Sequence, residues 1–152
     1  MKRSVSVQLT FEERRRLTRA GNVTMRAVRG LPSFRTQTLF AAFDRAVRMT
    51  RRDDFRVVEF SVQEDHVHLI IEADDNGALA RGMKSFSVRA NRLFNAAVGR
   101  GRGRLWADRH ERRELTSPRQ VRDALVYCFA IRQHDDGPCP TEEARTVLLH
   151  NT

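Results

Sequence analysis

The amino-acid sequence predicts an α+β domain built from an antiparallel sheet with helices on one face. Three observations lead to this class. The chain has 152 residues, of which 40% are hydrophobic, and this is enough to bury one core without a second module. Apolar residues recur with the period of a strand in some segments and with that of a helix in others. Two strand-like segments also follow each other across a few polar residues, as the arms of a hairpin do.

The strands are predicted from period-two alternation. In Asn22–Gly30, apolar residues such as Val23 and Met25 alternate with polar ones, which is typical of a strand with one buried face. Phe55–Val62 and Asp65–Glu72 are predicted to be two further strands. Because so few polar residues separate them, they should pair as an antiparallel hairpin.

Two long helices are predicted, one before and one after this hairpin. Thr36–Thr50 and Ala78–Val98 repeat apolar residues every three or four positions, so each helix has one apolar face for the sheet. A last strand or extended segment is expected in residues 104–115, and a third helix with Pro118 in its first turn follows. The apolar stripe of the second long helix consists of Leu79, Met83, Phe86, Ala90, Leu93 and Ala97.

The resulting order is strand, helix, strand, strand, helix, strand, which is the order of a ferredoxin-like split βαβ unit. We expect the two long helices to lie on the same face of the sheet that contains the His66 strand. The predicted domain covers residues 22–134. Residues 1–21 are predicted to be a basic N-terminal arm, and residues 135–152 a C-terminal tail.

The charge of the chain suggests a polyanionic partner. The formal net charge is +9, and Lys2 and Lys84 are the only lysines among 28 basic residues. The planar guanidinium of arginine suits phosphate and stacks on bases, which favours nucleic acid. The alternative cause is a high-GC genome that favours arginine codons. No segment is long and apolar enough to span a membrane and no signal peptide is recognised, so a cytoplasmic protein is expected. Cys128 and Cys139 lack the spacing of a zinc site or a disulfide framework.

The segment "DHVHLIIE" (Asp65–Glu72) places two histidines at the start of a predicted strand. Residues i and i+2 of a strand point to the same face, so His66 and His68, called the histidine pair below, should project together. Val67 and Leu69 should point the other way. Two neutral imidazoles on one rigid face provide half of a metal site. The alternative is that the two histidines are ordinary polar residues of the hairpin, hydrogen-bonded within it and without a metal.

Several segments, taken in order, resemble one family. The strand "DHVHLIIE", the helix end "VRANRLFN", the element "GRLWADRHERREL" and the helix "VRDALVYCFAIRQH" are similar to the HUH-type single-strand transposases that use one tyrosine, especially the REP-associated tyrosine transposases. The resemblance covers about Asn22 to His134 and rests on the combination of motifs. The matching positions are His66 and His68, Phe94 and Asn95, then Gly103, Leu105 and Trp106, and finally Ala124, Leu125 and Tyr127.

The resemblance implies a ferredoxin-like protein that binds single-stranded or hairpin DNA. In the family, the histidine pair holds a divalent cation, magnesium or manganese, against the scissile phosphate. A tyrosine on the following helix attacks, which leaves the DNA covalently joined to the enzyme and a free 3′ hydroxyl. Trp106 would stack on a base, or it is instead a core indole beneath the loop. A flexible basic loop would contact phosphates through Arg100, Arg102, Arg104 and Arg109.

The sequence departs from the family pattern at the nucleophile. Alignment on Phe94–Asn95 puts Ala90 where the family tyrosine is expected, and residues 78–98 contain no tyrosine. Tyr127 is the only tyrosine of the chain; its matched role is packing, and it is the candidate substitute. We expect the histidine pair to point toward the Ala78–Val98 helix, with Ala90 the nearest helical residue.

The third metal ligand of the family pattern is also missing. The position that corresponds to it is Phe94, and Asn91, Asn95 and Glu72 are the alternatives. The resemblance therefore implies that any metal, magnesium or manganese, is held without the usual third ligand.

These observations predict a transposase-like DNA-binding protein of this family whose catalysis is lost or altered, as in a domesticated protein. There are two alternatives, an active transposase with a displaced nucleophile and a metal-dependent nuclease that uses water. A covalent DNA adduct would identify the first alternative, and strand cleavage without an adduct would identify the second. Binding without cleavage would identify the predicted function.

Overall fold

The computed structural model describes residues 20–108 and 110–134, and these ranges contain four strands and three helices. The predicted order of elements is observed, and one helix follows the last strand. The strands are β1 (Ala20–Arg26), β2 (Phe55–Val62), β3 (His66–Ala73) and β4 (Glu111–Leu115). The helices are α1 (Gln37–Thr50), α2 (Asn76–Val98) and α3 (Pro118–His134).

The four strands form an antiparallel sheet in the order β2-β3-β1-β4. β2 and β3 pair as the predicted hairpin, and β1 lies between β3 and β4, which is the strand order of a ferredoxin-like unit. In the register of β1 with β3, Thr24 is opposite His68 and Arg26 is opposite His66. Directly opposed residues of an antiparallel pair project to the same face, so these four side chains share one side of the sheet.

The ends of α1 and α2 follow local capping chemistry. Thr36 precedes α1, and its Oγ1 accepts a hydrogen bond from the Leu39 amide at 3.2 Å. Asp75 precedes α2, and its carboxylate accepts from the Ala78 amide at 2.7 Å. α2 ends at Val98 and is followed by Gly99, whose φ of 74° lies in the left-handed region that glycine adopts without steric cost. The predicted helix boundaries therefore lie close to the observed ones.

The main core lies between the sheet and the two helices α1 and α2. Val67, Leu69 and Ile71 of β3 line it from the sheet, and Phe43 of α1 and Phe86 of α2 line it from the helices. All five side chains belong to residues that are at most 1% exposed. The prediction that the two long helices share one face of the sheet is therefore confirmed.

The helix α3 covers the opposite face of the sheet, so the prediction of helices on one face holds for α1 and α2 only. The reason lies in β3, whose residues Leu69–Ile71 place apolar side chains on both faces of the sheet. Ile70, between Leu69 and Ile71, is completely buried on the α3 side. The smaller core beneath α3 consists of Ala20, Ile70 and Leu115 from the sheet and Val121, Ala124 and Cys128 from the helix.

Both predicted flanking segments fall largely beyond the described ranges. Residues 1–21, the predicted arm, lie outside them except for Ala20 and Gly21, which belong to β1. Residues 135–152, the predicted tail, lie outside them entirely. Within residues 20–108 and 110–134, no helix combines the length and the apolar character needed to cross a membrane.

Candidate functional site

The histidine pair lies at the first residues of β3, on the face that α3 covers. The ring centroids are 4.8 Å apart, and the rings are perpendicular, with an interplanar angle of 90°. Both residues are partly buried. The sheet therefore holds the two imidazoles in place while solvent still reaches them.

Each imidazole makes one hydrogen bond through its Nδ1 atom. Nδ1 of His66 lies 2.7 Å from Oδ1 of Asp65, and Nδ1 of His68 lies 3.0 Å from Oγ1 of Thr24. A carboxylate can only accept, so His66 donates through Nδ1–H, and in the neutral ring Nε2 keeps its lone pair. The same tautomer forms at His68 when its Nδ1–H donates to the threonine oxygen. In these tautomers both Nε2 atoms can act as ligands, and the Nδ1 partners orient the rings.

The surroundings of the histidine pair favour a neutral His68. Burial lowers the pKa of His68 below its ordinary value, and the nearby charges of His66 and Arg26 lower this pKa further. The hydrogen bond from His66 lowers the pKa of the Asp65 carboxyl, which is therefore ionised at neutral pH. A neutral imidazole has the free lone pair that metal binding requires.

Tyr127 of α3 lies beside the histidine pair. Its ring centroid is 6.4 Å from that of His68 at an interplanar angle of 77°, and the residue is 57% exposed. α3 holds the tyrosine in this position because Val121, Ala124 and Cys128 of the same helix are buried against the sheet. The phenol is therefore close to an imidazole and accessible to a large ligand.

The structure contradicts the predicted orientation of the histidine pair. The pair points away from α2, because Val67 and Leu69, which alternate with the histidines, are the residues that pack with that helix. Ala90 is 1% exposed and belongs to the core on the far side of the sheet, so it is not the helical residue nearest to the histidines. The prediction was wrong because it placed the apolar stripe of α2 on the polar face of β3. The helix that faces the histidines is α3.

The family position of the third metal ligand and its three alternatives all make contacts elsewhere in the fold. Phe94 is completely buried in the main core, and Glu72 forms a partly buried ion pair with Arg56 at 2.6 Å. Asn91 and Asn95 bind the loop that follows α2. Among the described residues, no group of three or more His, Cys, Asp or Glu side chains could hold a metal ion. The histidine pair therefore offers two nitrogen ligands, and no third ligand of these types joins it within the described part of the chain.

The glycine- and arginine-rich loop, residues 99–104, is fastened to α2. The Nδ2 atoms of Asn91 and Asn95 donate to the carbonyl oxygen of Gly103 at 3.0 and 3.1 Å. Oδ1 of Asn91 accepts from the Leu105 amide at 2.7 Å. These bonds hold the loop in one conformation, contrary to the flexible loop expected from its glycines.

The arginines of this loop differ in their exposure. Arg100 packs inward, with its guanidinium 6.0 Å from the centre of the Phe94 ring. Gly103 has a φ of 142°, a backbone conformation that residues with a side chain rarely adopt, so glycine is favoured there. Arg102 and Arg104 are exposed. Of the predicted phosphate contacts in the loop, these two are presented to solvent, while Arg100 stabilises the loop.

The loop leads to the end of the sheet that carries the histidine pair. The Val28 amide donates to the Leu105 carbonyl at 2.8 Å, and the Ala107 amide donates to the carbonyl of Arg26 at 2.9 Å. Since Arg26 is opposite the first histidine, the exposed arginines and the histidine pair lie at the same end of the sheet. Arg109, the fourth predicted phosphate contact, lies outside the described residues.

Trp106 lies in the main core. It is 8% exposed, and its ring centroid is 6.3 Å from those of Phe34 and Phe86. Its Nε1–H donates to the Ser87 carbonyl at 3.2 Å, which satisfies the polar end of the buried indole. The structure contradicts an exposed stacking platform at this position and agrees with a core indole beneath the loop.

Sequence reasoning missed Thr24 as a neighbour of the histidine pair. On its own strand, the alternation of Thr24 with Val23 and Met25 indicates only a side chain that points away from the core. The signal becomes specific once β1 is paired antiparallel with β3, because the polar residues of β1 then share a face with the histidines.

The sequence matches one family model, described as "Transposase IS200 like", over residues 34–114, which is more than half of the chain. The match includes α1, β2, the histidine pair, α2 and most of β4, whereas Tyr127 lies beyond it. No curated protein matches the chain significantly.

Two solved structures are similar to this chain. One is a REP-associated tyrosine transposase bound to a REP hairpin, with a TM-score of 0.56 and 18% identity, over 76% of this chain and 67% of that chain. The other is a candidate transposase from Deinococcus radiodurans, with a TM-score of 0.46 and 17% identity, over 88% of this chain and 98% of that chain. At such identities, the first similarity shows a common fold.

Proposed function

The chain belongs to the IS200-like transposase family, and from this premise we propose that it cleaves and rejoins single-stranded or hairpin DNA, with Tyr127 as the nucleophile. The observation that carries the proposal is the position of this tyrosine. Its ring lies 6.4 Å from the ring of His68, on the side of the sheet where both histidines project. Tyr127 is also the only tyrosine of the chain.

Hairpin or single-stranded DNA is the proposed partner for reasons of charge and of fold. The chain has a formal net charge of +9, and the exposed Arg102 and Arg104 lie at the end of the sheet that carries the histidine pair. The REP-associated transposase with the similar fold is bound to a REP hairpin. We also propose that the protein resides in the cytoplasm.

The proposed reaction is a transesterification at one phosphodiester. The phenolic oxygen of Tyr127 attacks phosphorus, and the bond from phosphorus to the 3′ oxygen breaks as the new oxygen–phosphorus bond forms. The phenol loses its proton to solvent, and the departing 3′ oxygen gains one, which gives a free 3′ hydroxyl. The phosphotyrosine ester preserves the bond energy, so attack by a 3′ hydroxyl can reverse the step and rejoin a strand.

A divalent metal ion is general in this family, and we propose that His66 and His68 hold magnesium or manganese through their Nε2 atoms. When bound, such an ion neutralises charge on the phosphate oxygens. Neighbouring side chains orient the two imidazole rings for this role. The Asp65 carboxylate fixes the ring of His66 and Thr24 fixes the ring of His68, through the Nδ1 contacts at 2.7 and 3.0 Å.

A labelled hairpin oligonucleotide with single-stranded flanks tests the proposed function. The wild-type protein is incubated with it in manganese, and a denaturing gel is used to detect protein joined to DNA. We expect an adduct whose peptide contains Tyr127, and we expect Tyr127→Phe to abolish it. The matched control is Val126→Ala, because Val126 is the neighbouring residue of the same helix and is 60% exposed.

The other outcomes separate the competing functions. Cut DNA without an adduct would identify a nuclease that uses water. Hairpin binding without cleavage would identify a DNA-binding module whose catalysis is lost. An adduct that survives in the Tyr127→Phe protein would show that another group attacks.

A further inference from the structure

We propose that Arg26 forms a phosphate-binding subsite beside the histidine pair and that its ligand is the phosphodiester at which the DNA strand is cut. The proposal rests on the proposed function and adds to it a residue that holds the substrate. Arg26 occupies the last position of β1.

The register places Arg26 next to the histidines. It is the direct partner of His66, and the pair Thr24 and His68 comes next along the same two strands. The Cβ atoms of directly opposed residues are about 5 Å apart, so the arginine starts on the same face as both imidazoles. Since Arg26 is exposed, its long side chain can reach a ligand at the histidine pair.

The guanidinium of Arg26 has no bonding partner within residues 20–108 and 110–134. Among the described residues, it forms no hydrogen bond or ion pair, in contrast to Arg56, which is paired with Glu72, and to Arg81, which is paired with Asp54. Asp65 is near enough for its pKa to be lowered by the charge of Arg26, but the two form no ion pair, and Oδ1 of Asp65 lies 2.7 Å from Nδ1 of His66. An arginine that stabilised the fold through an ion pair would have an acidic partner.

The electrostatics agree with this placement. The positive charge of Arg26 contributes to lowering the pKa of both His68 and Asp65, which agrees with its place beside them in the register. An exposed cation at this position attracts an anionic group such as a DNA phosphate.

The chemistry of the ligand follows from the donor geometry. A guanidinium presents parallel N–H groups that bind two oxygens of one phosphate, which positions it as well as neutralising it. Such a contact would hold phosphorus on the face shared by the histidine pair and Tyr127. It would position the strand and carry no sequence information.

Coupling between the arginine and one phosphate tests the subsite. The Tyr127→Phe protein, which cannot cleave by the proposed route, is titrated with hairpin oligonucleotides that each carry one uncharged methylphosphonate. We expect the methylphosphonate at the cleavage position to weaken binding about tenfold, the size of one charge-assisted contact. In Tyr127→Phe with Arg26→Ala, the same methylphosphonate should have no further effect. Arg92→Ala is the matched control, because Arg92 is exposed on α2 on the opposite side of the sheet.

Each result decides something. An unchanged methylphosphonate profile in the Arg26→Ala protein would overturn the subsite and leave the proposed function standing. If the methylphosphonate at the cleavage position loses its effect on affinity in both the Arg26→Ala and the Arg92→Ala protein, the subsite is also overturned, because the effect would then be one of net charge. If the wild-type protein forms no adduct, but one methylphosphonate position in the Tyr127→Phe titration loses its effect in the Arg26→Ala protein alone, the proposed catalysis is overturned and a phosphate contact of Arg26 is retained. Absence of all DNA binding would overturn both.

Discussion

The two faces of the sheet differ in what covers them and in what they can do. The face toward α1 and α2 is closed by aromatic rings, among them Phe34, Phe43 and Trp106, which contact one another at 4.9 to 6.3 Å between centroids. The face toward α3 has a small apolar core at one end. At its other end it carries the histidine pair, with Thr24 and Arg26 beside it.

This difference shows how one strand serves two purposes. Alternate residues of β3 enter the aromatic core, so the backbone of the strand is fixed by packing on one side. The histidines lie between these residues on the same fixed backbone, and they remain accessible to solvent. A site that must hold a phosphate within narrow limits benefits from a backbone held by the core behind it.

The largest expected effect comes from removing the histidine pair. In His66→Ala with His68→Ala, we expect the yield of DNA adduct to fall about a thousandfold, because the metal contribution to charge stabilisation is worth several kcal/mol. The melting temperature should change little, since both residues are partly exposed and lie outside the main core. Adduct yield and thermal unfolding are measured on the same preparation. Parallel losses of both quantities would mean that the two faces are not independent.

On the face of the sheet that α1 and α2 cover, a substitution should reduce stability. Phe94→Ala removes a completely buried ring from the main core and should lower the free energy of unfolding by about 3–5 kcal/mol. Urea denaturation followed by circular dichroism measures this loss. A decrease below about 1 kcal/mol would contradict a closely packed aromatic core.

Ala90→Tyr places a phenol at the position first expected for the nucleophile. Ala90 is 1% exposed between the helix and the sheet, so the larger side chain should lower the free energy of unfolding by about 1–3 kcal/mol. We expect no adduct at the new tyrosine in a Tyr127→Phe background, because the sheet separates it from the histidines. Mass spectrometry of the digested adduct would detect DNA on residue 90, and that result would reverse the assignment of the two faces.

Thr24→Val tests the positioning of His68. The substitution keeps the shape of the side chain and removes the oxygen that lies 3.0 Å from Nδ1. Loss of such an orienting partner typically lowers metal affinity about 10- to 100-fold. Titration of manganese with the protein alone gives this affinity without relying on cleavage. An unchanged affinity would show that the hydroxyl does not orient the imidazole.

The smallest effects are expected in the loop. Arg102 is exposed, so Arg102→Ala should reduce the slope of log affinity for single-stranded DNA against log salt by about 0.7, the value of one phosphate contact. Arg100→Ala should leave that slope unchanged and loosen the loop, since Arg100 packs over Phe94. Equal changes of slope in both proteins would contradict the difference in their exposure.

Most of the fold could be predicted because its signals are local. Hydrophobic periods marked the strands and the long helices, and the short connection from Val62 to His66 indicated a hairpin. The caps Thr36 and Asp75 mark the starts of α1 and α2 through bonds to residues three positions along the chain. Such signals require only neighbouring residues, which is why the boundaries were close.

The candidate site was predicted only in part. The same-face projection of the two histidines follows from the geometry of a strand, and it was correct. Trp106 could not be assigned, because an indole beside a basic loop suits either a surface or a core until its neighbours are known. Likewise, the glycines of residues 99–104 indicated a flexible loop, whereas Asn91 and Asn95 hold it through side chains from another element.

By itself, the sequence determined the elements, the hairpin, the family resemblance and the pairing of the histidines on one face. Only the tertiary structure decided which helix that face meets. The apolar stripe of an amphipathic helix predicts that the helix packs on the sheet, but not which face of the sheet it covers. The local patterns around Ala90 and Tyr127 therefore could not show which of the two residues lies near the histidines. The register of β1 and β3 and the burial of Val67 and Leu69 against α2 turn the histidines toward Tyr127. These are contacts between residues far apart in the chain, and no local period encodes them.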